Sequence, residues 1–132
     1  MIRADRGQAL VEFALVLPLL LLFVFAIVFV AQIGVARLAL EHAAAEGARI
    51  GALTNDDGAV ARAIDAAVAP LDASHVRVRI DPPQSSLPRT LDPRGALLRV
   101  ELGYTVPVPL GFAGLPEIAV VGRAARVIEW TP

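Results

Sequence analysis

From Phe13 to Ala31 the chain reads FALVLPLLLLFVFAIVFVA, nineteen residues without a charge or a polar side chain. Gln32 interrupts, and Ile33 to Ala36 carries the uncharged stretch up to Arg37. A bilayer hydrocarbon core of roughly 30 Å is crossed by about twenty apolar residues in a helix. A helix in a soluble core shows polar residues every third or fourth position, and this run has none. The segment reads as a membrane span. The competing reading is a secretory signal peptide, with an apolar region of roughly 7–15 residues and a small-x-small cleavage site. The run is longer than that, and Val30-Ala31-Gln32 and Val35-Ala36-Arg37 are poor sites.

The span explains the composition. Of 132 residues, 56% are hydrophobic and 19% charged, against about 45–50% and about 25% in soluble domains. A net charge of −1 offers no basic field for nucleic acid. All twelve basic residues are Arg, and cysteine is absent, which excludes disulfides and thiolate metal sites. Arg3 and Arg6 precede the span and Arg37 and Arg49 follow it, so charge bias only leans towards a cytoplasmic N-terminus.

The mouth of the span carries the most information. Glu12 is a carboxylate at the start of a hydrophobic helix, where acids are costly towards the bilayer centre. Its plain role is to favour the positive end of the helix dipole. It also stands five residues after Gly7 and directly before Phe13, behind a short basic leader.

This Gly-x-x-x-x-Glu-Phe arrangement, running into Ala14-Leu15-Val16-Leu17-Pro18-Leu19, resembles the prepilin processing site of type IV pilins. The seven-residue leader looks like the Flp (type IVb) branch, and RGQALVEFALVLPLLLL is similar to the TadE family of pseudopilins. Ala43-Ala44-Ala45-Glu46-Gly47-Ala48-Arg49 resembles the end of the N-terminal helix in TadE-like proteins. The resemblance implies cleavage by a prepilin peptidase on the cytoplasmic side, between Gly7 and Gln8. Glycine there leaves a backbone free to enter a protease cleft. It further implies that Glu12 neutralises the new amine of a neighbouring subunit, with Phe13 the aromatic that follows the acid. The implied partners are the membrane, the peptidase, other pilins or pseudopilins and the pilus assembly platform of a tight-adherence, cell-adhesion apparatus.

The rest reads as a small α+β domain on the far end of the same helix. The expected divisions are a leader (1–7), a transmembrane helix (8–36), a projecting amphipathic half (37–53) and an extracytoplasmic domain (54–132). A helix from Gln8 to Leu53 is about 69 Å long, more than the bilayer needs. Pro18 cannot donate to the Ala14 carbonyl and should kink the membrane half. Ile33, Ala36, Leu40, Ala43, Gly47 and Ile50 recur at helical spacing. Arg37–Glu41 and Glu46–Arg49 are solvent-face ion pairs. Ala43, Gly47 and Gly51 form a ridge of small residues, read as the helix seat for the sheet.

Thr54 to Gly58 is a turn with helix-start chemistry, and a short second helix follows through Val60 and Ile64 to Pro70. Val76, Val78 and Ile80 predict a half-buried strand, and Leu98 to Val106 a longer one. Ile118 to Glu129 predicts a third, with a bulge near Gly122 where the apolar phase changes. The expected sheet is three-stranded and antiparallel. Asp81 to Gly95, with four prolines, reads as a loop, and so does Pro107 to Glu117.

Nothing in the pattern points to an enzyme. His42 and His75 lack metal-ligand spacing with a second ligand, and no base is patterned around Ser74, Ser85 or Ser86. Arg77 and Arg79 read as the wet side of a sheet, and a Pro-x-x-Pro spacing is too common to assign a partner. No cofactor, metal, nucleic acid or small-molecule substrate is expected. Two classes remain: a processed pseudopilin, or an unprocessed single-pass protein with a small extracytoplasmic binding or adaptor domain.

Overall fold

The computed structural model describes residues 2–107 and 117–131, with side chains from Gly7 onward. The expected loop from Pro107 to Glu117 lies, but for its end residues, outside them. The chain separates into two compact units, Met1–Gln32 and Ile33–Pro132. Helix α1, Ile2–Thr54, supplies the first unit and the opening element of the second. It runs through Pro18.

Within the first unit α1 is unclothed. Leu10, Leu15, Leu19, Phe23 and Val30 are each more than 60% exposed. The most apolar stretch of this helix has a mean hydropathy of 3.2 and no buried residue. Side chains this apolar need a non-aqueous surrounding, which a bilayer supplies.

The second unit is α+β. Helix α2, Asp57–Ala67, starts where Asp56 accepts the Gly58 N–H at 2.8 Å, satisfying one of the free amides of the first turn. Strands β1 (Arg77–Asp81), β2 (Leu97–Val106) and β3 (Ile118–Val127) form an antiparallel sheet in the order β1-β2-β3. Alternation in β2 puts Leu98, Val100, Leu102 and Val106 into the core. Also buried are Leu40, Ala43, Ala44, Ala48 and Ala52 of α1, Val60 and Ile64 of α2, and Ile128.

Three expectations need correction. β2 and β3 pair without interruption from Leu97↔Val127 to Val106↔Ile118, so β3 has no bulge. The inward phase stays on Val120, Gly122 and Ala124; Val121 and Val127 are apolar but face out, which mimics a phase change. A Cβ on Gly122 would stand 2.7 Å from the Glu41 amide nitrogen of α1, so the missing side chain admits the helix backbone instead. The Pro-rich stretch is not all loop either. Leu87–Thr90 forms one helical turn, α3, with Pro88 in the first turn, where its missing N–H costs nothing. Lastly, β1 is an edge strand rather than a half-buried one, with Val78 42% exposed.

Candidate functional site

At the mouth of the span, Gly7, Gln8, Glu12 and Phe13 all lie on α1. Gln8 Nε2 donates to Glu12 Oε1 at 3.3 Å, one helical turn apart. Position 8 therefore shares a face with the carboxylate. Nothing stands within 4 Å of where a Gly7 Cβ would be, so this glycine serves no packing contact among the described residues. Phe13 is 62% exposed, aligned with the other apolar side chains of the span.

Further along α1, the small residues let other elements approach. Ala43 is fully buried. A Cβ on Gly47 would fall 2.8 Å from Ile64 Cγ1 of α2. On Gly51 it would overlap Leu98 of β2 and meet Val60 of α2 at 2.8 Å. Thus Gly47 seats α2, while Gly51 seats α2 and the sheet together. Around this seat the exposed face is polar: Arg37 Nε donates to Glu41 at 2.9 Å, and Arg49 to Glu46 at 2.6 Å and 2.9 Å. The Arg49 guanidinium holds the Glu46 carboxyl below its ordinary range.

One cluster had no counterpart in the sequence reading. Arg89 of α3 is 2% exposed. Its Nε donates to Asn55 Oδ1 at 2.9 Å, and Nη1 donates to Asp57 Oδ1 and, at 3.0 Å, to the Pro82 carbonyl. Asn55 Nδ2 returns a bond to the Arg89 carbonyl at 2.9 Å. Asn55 itself has φ 51°, a left-handed conformation that asparagine tolerates and β-branched residues resist. The cluster ties the Pro-rich segment to the joint between α1 and α2. Arg89 Nη2 has no partner among the described residues.

Ser74 and His75 prove closer than their sequence pattern suggested. Asp72 caps a single 3-10 turn, Ala73–His75, accepting from Ser74 N at 2.9 Å and Ser74 Oγ at 2.7 Å. His75 Nδ1 lies 3.2 Å from Asp72 Oδ2 and 3.4 Å from Ser74 Oγ. A nucleophile relay needs the two ring nitrogens to face different partners. Here one nitrogen faces both, and the serine proton already points at the carboxylate. The geometry is that of a cap, and the Ser74 bonds hold the Asp72 carboxyl below its usual range. His42 is exposed on α1, and no cluster of metal-ligating side chains occurs among the described residues.

On the outward face of the sheet Arg79, Glu101 and Arg123 lie in one row, with Arg123 Nε donating to Glu101 at 2.9 Å. Arg77 and Arg79 are exposed on the same face. The features of this chain that depart from an ordinary small domain are therefore its bare apolar helix and the acid at that helix's mouth.

Comparison with curated proteins and with solved structures gives no match. The family profile described as TadE-like protein matches residues 7–49. The match opens at Gly7, runs through Glu12, the exposed span and the buried face of α1, and ends before α2 and the sheet. Over residues 7–49, the segment that carries its span and the start of its folded unit, the chain is similar to the TadE-like protein family.

Proposed function

We propose that this chain is a pseudopilin, or minor pilin, of a Flp-type tight-adherence pilus. A prepilin peptidase cuts it between Gly7 and Gln8, and Glu12 and Phe13 mark the site. The protein then sits in the bacterial cytoplasmic membrane, N-terminus inside and the Ile33–Pro132 unit outside, ready to join other pilins at the assembly platform. The observation that carries this reading is the start of the family match at Gly7, at the spacing from Glu12 that the cleavage requires.

The chemistry of the mouth supports it. Gly7 lies within α1, and a helical bond must open before it enters a protease cleft. Glycine weakens a helix by about 1 kcal/mol relative to alanine, which eases that opening. Cleavage leaves an ammonium on Gln8, and Glu12 stands one turn away at the same depth. A carboxylate and an ammonium near hydrocarbon are each costly alone, and pairing across subunits relieves both.

N-terminal sequencing of protein recovered from native membranes is the test. A mature chain beginning at Gln8 is expected, and Gly7→Leu should accumulate as full-length precursor. Because Gly7 packs against nothing among the described residues, that variant changes the site without disturbing the fold. An intact leader on the native protein would instead favour an unprocessed single-pass protein with an adaptor domain.

A further inference from the structure

The second unit carries a shallow groove of about 380 Å³ that none of the described residues fills. Val35, Leu38 and His42 of α1 form one wall, and Ala67, Ala69 and Pro70, at and after the end of α2, form the other. Leu38 is 70% and Val35 51% exposed, more than a water-facing leucine and valine side by side would favour. Among these lining residues only His42 can carry a charge.

The position of the groove along α1 identifies what covers it. The uncharged run Phe13–Ala36 is about 36 Å long as a helix. Centred on it, a hydrocarbon core of roughly 30 Å ends about 3 Å before Ala36. Leu38 then stands about 6 Å beyond the hydrocarbon, inside a headgroup layer about 5–7 Å deep. Side chains on a helix tilt towards its N-terminus, so Val35 and Leu38 lean back towards the bilayer. Arg37, beside them, has an exposed guanidinium that can reach a lipid phosphate while its stem lies on apolar surface.

We propose that this groove is a lipid-docking site: the Val35–Leu38 wall and the Ala69–Pro70 turn rest in the headgroup layer of the membrane that α1 crosses. The span anchors the chain, and the groove fixes which side of the folded unit faces the bilayer. The proposal rests on the membrane-anchored reading and adds to it a contact by the folded unit itself.

Because the chain has no cysteine, single nitroxide labels can be placed without background. The full chain is reconstituted in vesicles of phosphatidylethanolamine and phosphatidylglycerol with labels from Val24→Cys, Leu38→Cys, Ala69→Cys or Leu91→Cys. Relaxation by oxygen, which concentrates in lipid, is compared with relaxation by a water-soluble nickel chelate. Val24 should read hydrocarbon depth and Leu91, 78% exposed directly after α3, should read water. Leu38 and Ala69 should both read headgroup depth, with nickel accessibility several-fold below that of Leu91. A deep Val24 with Leu38 and Ala69 as accessible as Leu91 would overturn the groove proposal and leave the anchor standing. Spin–spin broadening at Leu38 that disappears on dilution with unlabelled chain would show a second copy in the groove, and overturn it too. A water-exposed Val24 would remove the anchor and the proposal together. The fluorescence of Trp130, the single tryptophan, checks that each labelled chain is folded.

Discussion

Arg89 shows how much one side chain can organise when its charge is taken out of water. Its guanidinium serves Asn55, Asp57 and the Pro82 carbonyl at once. Truncating it leaves those groups facing an empty space, and removing one partner of a buried ion pair costs about 3–5 kcal/mol. Asp57 keeps a side-chain exposure of 30%, which moderates the loss. Arg89→Leu should lower the stability of the second unit by on the order of 3 kcal/mol, read from denaturant-dependent Trp130 fluorescence. Arg89→Lys keeps the charge but not the planar fork, and should recover only part of it. At Glu12 the expected outcome is of another kind. Glu12→Gln should still insert and be cut after Gly7 but should fail to co-purify with pilin partners. Equal recovery of those partners would leave Glu12 as a marker of the cleavage site only.

At the scale of elements, contacts through absent side chains decide the packing. Gly122 faces the backbone of α1, which cannot rotate aside, whereas Gly47 faces only side-chain atoms, Cγ1 and Cδ1 of Ile64. Overpacking a core costs about 1–3 kcal/mol. Gly122→Ala should therefore fall at or above the upper end and Gly47→Ala near the lower, compared by Trp130 fluorescence in urea. The Asp72 cap adds a pH dependence. Its carboxyl is held below the usual value by Ser74, so its contribution is present above the ordinary aspartate range and fades as pH falls through the lowered value. Asp72→Asn should flatten the acid limb of the stability profile slightly.

The same elements show what a sequence can convey. The span, α2, β2 and the two ion pairs of α1 were legible because each follows from local spacing: absence of charge, a period of 3.6 or a period of two. The bulge expected at Gly122 failed because Val121 and Val127 are apolar yet outward. Ala39, Ala44, Ala48 and Ala52 join the buried face of α1, but an alanine-rich helix does not announce its inner side. The Arg89 cluster was illegible for a deeper reason. An arginine among prolines reads as a solvated loop charge, and its partners lie 32 and 34 residues away in the chain. Of the proposed site, Gly7, Gln8, Glu12 and Phe13 could be picked out from sequence because they lie within a few residues of one another, and all four lie on α1. The small-residue ridge was legible as a seat, though not that α2 shares it with the sheet.

For the whole molecule, the proposed topology makes a simple claim. A reporter that works only in the cytoplasm, fused after Pro132, should be silent. Activity from it would reverse the orientation and with it the pseudopilin reading.

Residues 128–130 close the fold of the second unit. Ile128 is fully buried, its amide donates to the Ala96 carbonyl at 2.8 Å, and Glu129 and Trp130 both donate to the carbonyl of Ala52. In biosynthesis α1 is made well before these clasps. On the membrane-anchored reading, the nascent protein is thus tethered well before its second unit can fold, and that unit stays open to proteolysis until residue 130 is free. A chain stopped at Val127 should reach the membrane in normal amount yet be digested beyond Ala36 by a protease that spares the full-length form.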